Sequence, residues 1–273
     1  MIKERISELR DKFNEFNIDG YVIPKNDDFF SEYSQKDRLK TISNFTGSAG
    51  YAIILNKKNY LFVDGRYLIQ AEIESGKEFE IINLSKIENC ELFKNLVLGL
   101  DPKLFTFKQI NKFFEKYNKI KEIEVNLVDH IYNNYPYVSK PFFSLSKEIV
   151  GESHLIKIKK TASIIKKKKS DYLFITAPEN VAWLLNIRGN DNPYSPIPNC
   201  RMIIGGNKEI FLLCEKTKAQ NLIKEKKIEK ENIILPKNFK SLIKKLKKNK
   251  IIIDEKSCSI FYENIIKKRF LIT

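Results

Sequence analysis

The sequence predicts an α/β protein made of two similar units. Apolar residues recur at helical spacing in some segments and in short strand-like runs in others, and the two kinds of segment alternate along the chain. The order helix, strand, hairpin, helix, strand, helix, strand in the first half then returns in the second, the mark of a duplicated domain. With 273 residues, 42% of them hydrophobic and 12% aromatic, the chain can bury more than one core.

In the first half, Ile2, Ile6, Leu9, Phe13 and Phe16 stand three and four apart and form one apolar stripe of a helix. Gly20 then admits a buried strand, Tyr21 to Pro24. Past a long polar loop, Tyr51 to Leu55 and Tyr60 to Val63 flank Asn56-Lys57-Lys58-Asn59 and read as a hairpin. A helix follows over Arg66 to Ser75, closed by Gly76, which tolerates a left-handed backbone. The alternation of Phe79 to Leu84 makes a strand. Thr106 and Gln109 have the spacing of a capping box, in which each side chain satisfies a free backbone donor, and open a helix to about Tyr117. Lys121 to Val128 reads as the next strand. Two prolines and no helical period place a linker between Tyr135 and Ser153, with domains at 1–144 and 153–273.

The second half opens with a lysine-faced helix from Ser153 and a strand, Asp171 to Thr176. Pro178, suited to a first helical position, starts a short helix that ends near Asn186. Arg201 to Ile204 and Glu209 to Leu213 form the matching hairpin, whose turn glycines, Gly205 and Gly206, are expected to supply positive φ. Helix, strand (Asn232 to Leu235), helix, strand (Lys250 to Asp254) and helix complete the unit. Trp183, spaced with Leu184 and Ile187, is expected in the core.

Charge is divided unevenly. Residues 1–150 balance 22 basic against 22 acidic side chains, and residues 151–273 carry the whole excess of +15. Only 7 of the 49 basic residues are Arg, which argues against a reader of specific nucleic-acid sequence, because such proteins use Arg for bidentate contacts. The runs Lys166–Lys169 and Lys244–Lys250 carry Ile and Leu at helical spacing and read as solvated helix faces. A basic module for nucleic acid or acidic surfaces is the alternative. Cys90, Cys200, Cys214 and Cys258 lie far apart without a CxxC pair and read as small buried hydrophobes. No run of about 18 apolar residues spans a bilayer, and the charged start lacks a signal-peptide core, so a cytoplasmic chain is expected, with no membrane partner.

Gly47, Ser48, Ala49 and Gly50 allow a tight loop before a strand, and their spacing fits neither common phosphate-binding glycine motif. Asp64, Gly65, Arg66 and Tyr67 fall between strand and helix, where Asp64 can cap the helix and Arg66 can pair with a carboxylate. His130 and His154 have no carboxylates at ligand spacing and read as linker or helix-end residues.

The stretch ISNFTGSAGYAIILNKKNYLFVDGRYLIQAEIES, Ile42 to Ser75, resembles the signature region of the creatinase and prolidase N-terminal domain: F-x-G-S-A-G, an apolar hairpin, then D-G-R-Y-x-x-Q-A. DPKLFT from Asp101, GES from Gly151 and ENVAWLLNIRGNDNPYSP from Glu179 to Pro196 follow in family order. The last segment is similar to the second domain of three-domain Xaa-Pro aminopeptidases.

The resemblance covers essentially the whole chain. It implies a mixed sheet with flanking helices in each of two creatinase-N-like domains. It also implies hydrolysis of the bond before a penultimate proline by a third, pita-bread domain holding two divalent metals, commonly manganese. The ligands of those metals would lie beyond the last residue here, so the resemblance carries no catalytic or metal-binding residue onto this chain. It implies a truncated or split, non-catalytic portion that binds no cofactor itself. Because the family's N-terminal domain lies near a catalytic cleft, often that of a neighbouring subunit, Asp64, Arg66, Tyr67, Arg188 and Asp191 are candidates for cleft or interface residues. A separately encoded catalytic domain or a second copy is the expected partner.

Overall fold

The first apolar stripe does fold as a helix. Helix α1 (Ile2–Asp11) turns Ile6 and Leu9 inward. The structure is a computed structural model that describes residues 1–32, 35–132 and 140–273. It divides into two units, Met1–Pro136 and Tyr137–Thr273.

In the first unit α1 is followed by β1 (Gly20–Pro24), α2 (Arg38–Ser43), β2 (Gly50–Leu55), β3 (Asn59–Val63), α3 (Leu68–Ser75), β4 (Glu80–Asn83), β5 (Val97–Leu100), α4 (Phe107–Phe113), β6 (Lys119–Glu122) and α5 (Leu127–Ile131). The strands form one mixed sheet in the order β4-β3-β2-β1-β5-β6. The β1–β2 and β2–β3 pairs are antiparallel and the other pairs parallel. One face packs Tyr21, Ile23, Ala52 and Ile54 against Leu9 of α1, Ile42 of α2 and Leu127 of α5. The other carries an aromatic cluster in which Tyr51, Phe62, Phe93, Phe105 and Phe114 contact one another with ring centroids 6.0–6.5 Å apart.

Local chemistry explains most of these boundaries. Asp37 caps α2 by accepting the Lys40 N–H, and Thr106 and Gln109 make the expected capping box at α4. Gly76 closes α3 with φ +62°. Three segments differ from expectation. The six-residue α2 lies inside the supposed polar loop, and β5 precedes Asp101. The expected strand over Lys121–Val128 is in fact the end of β6 and the start of α5, because the Asn126 side chain accepts the Val128 N–H and caps a helix there.

The second unit contains β7 (Phe143–Ser144), α6 (Lys147–Val150), α7 (His154–Lys167), β8 (Tyr172–Ile175), α8 (Pro178–Leu185), β9 (Ile187–Arg188), β10 (Arg201–Gly205), β11 (Ile210–Leu213), α9 (Gln220–Lys224), β12 (Ile233–Ile234), α10 (Phe239–Lys245), β13 (Lys250–Ile252), α11 (Ile260–Lys267) and β14 (Leu271–Ile272). Its main sheet runs β12-β11-β10-β8-β13-β14, the order and strand directions of the first unit. Helices α7 and α8 pack on one face, and α10 and α11 pack on the other.

Three expectations are corrected here. The supposed end of the first domain at residue 144 falls inside the second unit. Phe142 is fully buried in that unit's core, and β7 pairs with β9; part of the expected linker, residues 133–139, lies outside the described residues. The turn after β10 takes its positive φ from Lys208 (+75°) and not from Gly205 or Gly206. Trp183 is 58% exposed, because α8 buries Val181, Ala182, Leu184 and Leu185 and turns position 183 the opposite way.

Candidate functional site

Two groups of candidates sit in separate units. In the first unit the chain leaves β3 at Val63, and Asp64 caps a single 3-10 turn, Gly65–Tyr67, ahead of α3. Asp64 Oδ1 accepts the Arg66 N–H at 3.0 Å and Arg66 Nε at 2.9 Å. This bond to Arg66 holds the Asp64 carboxyl below the usual range and raises the guanidinium in return. Tyr67 stacks edge-on against Phe45, and its hydroxyl lies 3.0 Å from Ser48 Oγ. The small-residue loop is further held by Glu74 of α3, which accepts Thr46 N–H at 2.7 Å and Thr46 Oγ1 at 2.6 Å. Gly50 is required there, since a Cβ would meet the Phe62 carbonyl oxygen at 2.6 Å. Asp64, Arg66 and Tyr67 are therefore brought together, and their contacts fix a loop.

Arg188 and Asp191 lie in the second unit, at and just after β9. Arg188 Nη1 donates to the Ile187 carbonyl at 2.8 Å. Asp191 is buried; Oδ1 pairs with buried Lys218, and Oδ2 accepts the Asn199 N–H at 2.7 Å. This closes a loop whose outermost aromatic, Tyr194, is 81% exposed. No local pattern points to Lys218 as the partner, 27 residues away.

A third site, not anticipated, lies at the carboxyl ends of the parallel strands β8 and β13. It is a pocket of about 240 Å³ lined by Thr161, Leu173, Ile175, Trp183, Asp254 and Ser257 among others. Ser257 Oγ donates to Asp254 Oδ2 at 2.9 Å and lies 2.8 Å from Thr176 Oγ1. Adjacent parallel strands whose following helices lie on opposite faces leave such a crevice by topology. Neither histidine lines the pocket, and the Ser257 hydroxyl donates directly to the Asp254 carboxylate, so the Asp-Ser-Thr chain presents hydrogen-bonding groups to the pocket.

The chemistry of the remaining groups is limited. Burial pushes the Cys214 and Cys258 thiols up to about 12 and Cys200 well above the usual range, so none of the three supplies a thiolate. Burial lowers His154. Among the described residues no group of three or more His, Cys, Asp or Glu is arranged to hold a metal ion, so the two-metal centre implied by the resemblance does not fit the donors present. No helix among them is long and apolar enough to cross a membrane.

A repeated mixed sheet, with the signature loop locked onto α3, defines a tandem of two related α/β domains. The chain belongs to the Creatinase/Prolidase N-terminal domain family, which it matches over residues 5–130 and again over 134–273. Among curated relatives, the probable Xaa-Pro aminopeptidase P of Laccaria bicolor is 35% identical over 211 residues, 71% of this chain and 33% of the relative. That of Pyrenophora teres f. teres is 34% identical over 209 residues, 71% and 32% respectively. The chain thus spans about a third of the length of these relatives. Among solved structures, an X-prolyl aminopeptidase from Caenorhabditis elegans, a cytosolic enzyme with a di-nuclear active site, superposes with a TM-score of 0.85 at 23% identity. It covers all of this chain and 50% of its own length, which establishes the shared fold.

Proposed function

We propose that this chain serves an Xaa-Pro aminopeptidase-type metallopeptidase as its non-catalytic N-terminal region. The observation that carries the reading is the tandem family match together with 35% identity to an Xaa-Pro aminopeptidase P over a stretch equal to a third of that relative. In this role the two domains shape the approach to a catalytic cleft and support contacts between subunits. The divalent ions belong to a separate catalytic domain. Asp191 is buried and committed to its own loop, whereas the exposed Arg66 and the half-buried Arg188 are placed to face a partner at the cleft edge, with Asp64 and Tyr67 holding the Arg66 turn in place. The setting is cytoplasmic, without a specific nucleic-acid or membrane partner.

The test is an assay of the purified chain on Xaa-Pro peptides with added manganese, alone and mixed with a separately expressed pita-bread domain. No turnover is expected from the chain alone, and addition of the chain is expected to raise turnover by the catalytic domain. Chelator-sensitive hydrolysis that co-elutes with the 32.0 kDa chain would overturn the reading. A catalytic domain indifferent to the chain would do the same.

A further inference from the structure

The two units follow one register. Asp19 accepts the Val97 N–H at 2.8 Å while its own N–H donates to the Val97 carbonyl at 2.8 Å; Asp171 does the same with Lys250, at 3.0 and 3.1 Å. The helix before each strand closes alike, Ile18 N–H on Phe13 and Ser170 N–H on Ile165, both at 3.1 Å. These bonds match Leu9 with Thr161, Tyr21 with Leu173, Ile23 with Ile175 and Asp101 with Asp254. The two aspartates open the same turn: Asp101 Oδ1 accepts the Lys103 N–H at 2.9 Å, and Asp254 Oδ1 accepts the Lys256 N–H at 3.1 Å.

In the first unit all four positions are buried: Leu9 0%, Tyr21 1%, Ile23 1% and Asp101 2% exposed. Helix α5 is part of what covers them. Leu127 and Val128 join their core, the Leu127 N–H donates to the Tyr21 hydroxyl at 3.3 Å, and Asn126 Nδ2 donates to Asp101 Oδ2 at 3.0 Å. In the second unit Thr161, Leu173 and Ile175 are only half-buried, Asp254 is exposed, and all four line the pocket beside Trp183. The Leu271 N–H bonds to Asn249 as the Lys119 N–H bonds to Leu96, so Thr273 matches Lys121 and none of residues 1–273 matches α5.

We infer that this pocket is the docking groove for a short amphipathic helix supplied by polypeptide outside residues 1–273. The helix sets its N-terminus at Asp254 and its apolar face on Leu173, Ile175 and Thr161. The charges are complementary: a helix N-terminus carries partial positive charge, and the Asp254 carboxylate stands where Asp101 receives the cap amide of α5. The surplus of +15 over residues 151–273 favours an occupant with acidic residues on its outer face, as α5 carries Asp129. The inference rests on the internal duplication and is independent of the peptidase reading.

The chain contains a single tryptophan, and Trp183 lies on the groove, so its emission reports occupancy directly. Residues 122–132 (EIEVNLVDHIY) are grafted in register after Thr273. The expected result is a shift of Trp183 emission to shorter wavelength, loss of acrylamide quenching and a raised Tm. A graft with serine in place of the residues copied from Leu127 and Val128, or the first graft on a Thr161→Arg chain, is expected to lose all three changes. Emission and quenching unchanged by the first graft would overturn the proposal. So would an equal response to the serine graft, or an emission shift that appears only with dimers on size exclusion, which would give the groove to a second copy. Circular dichroism of each variant shows that the fold is intact.

Discussion

Arg38 and Asp129 form a bidentate ion pair, Nε to Oδ1 at 2.9 Å and Nη2 to Oδ2 at 3.1 Å, that ties α2 to α5. Arg38 is 3% exposed, and Lys36 adds a second cation to Asp129 at 2.6 Å. Burial alone would lower the Arg38 guanidinium, but the bond to Asp129 and the nearby Asp28 raise it overall. Removing Asp129 leaves the buried Arg38 only its longer contact to the half-exposed Asp28, at 3.4 Å. Asp129→Ala is therefore expected to cost about 3 kcal/mol in urea unfolding. The double change Arg38→Met with Asp129→Leu, which removes both charges, is expected to cost markedly less than the single change; an equal cost would show that the fork is not what holds the two helices.

Glu74 sets an acid limit on the signature loop. Burial pushes its carboxyl upward, but the bonds from Thr46 and Gln70 outweigh this, so its folded pKa lies below the ordinary value. A carboxylate lowered in the folded state contributes stability that is complete above its unfolded pKa and lost as pH falls through the folded one. The stability difference between the native chain and Glu74→Gln is expected to be largest at neutral pH and to shrink on acidification below the usual carboxylate range. Tm measured across that range checks it, and a constant difference would assign the loop's order to Tyr67 and Ser48 instead.

Each unit has its own sheet and its own cores on both faces, so each is expected to fold alone. Fragments 1–136 and 140–273, expressed separately, should each give one cooperative transition in denaturant. The second fragment has to begin before Phe142, because that ring is fully buried among residues of the second unit. A fragment starting at residue 153, the boundary read from prolines alone, is expected to be less stable by about 3 kcal/mol or more for the lost phenylalanine.

The paired hairpins, the capping box and most of the helices and strands were legible because they depend on local patterns and on side chains that bond within a few residues. Helix α5 was not, because Ile123, Val125 and Leu127 alternate with Glu124 and Asn126 like a strand, and the helix depends on the Asn126 cap. Helix α2, with six residues, is too short to show a period. The site candidates were legible one loop at a time, whereas Lys218 beside Asp191 and the groove beside Asp254 arise only from tertiary placement. Trp183 misled for a geometric reason: at about 100° per residue, the arc that buries positions 181, 182, 184 and 185 faces away from position 183.

The lysine surplus of the second half is expected to give nonspecific binding only. Neutralised phosphates release counterions, so any affinity for duplex or single-stranded DNA should fall steeply between low and physiological salt. Fluorescence anisotropy at two salt concentrations measures this. Binding that survives physiological salt and discriminates between sequences would restore the basic-module alternative.

Asp191 offers the sharpest separation of a structural from an interfacial role. Its two oxygens are fully engaged, one by Lys218 and the other by the Asn199 N–H, and its side chain is 3% exposed. Nothing of the carboxylate is left for a partner. Lys218 is also buried and lies 5.8 Å from the Phe142 ring, so losing Asp191 strands a cation beside an aromatic core. Asp191→Ala is expected to cost about 3 kcal/mol. Asp191→Asn, which can still accept from Asn199, is expected to cost less. Arg188→Ala, by contrast, removes only a bond to a neighbouring carbonyl and is expected to leave Tm nearly unchanged. If the loop faces a catalytic partner, Arg188→Ala weakens stimulation of the separately expressed catalytic domain at unchanged Tm, while Asp191→Asn lowers Tm first and affects stimulation only where the loop has opened. The reverse pattern, with Asp191→Asn thermally silent and defective in the mixture, would make the carboxylate itself a contact residue.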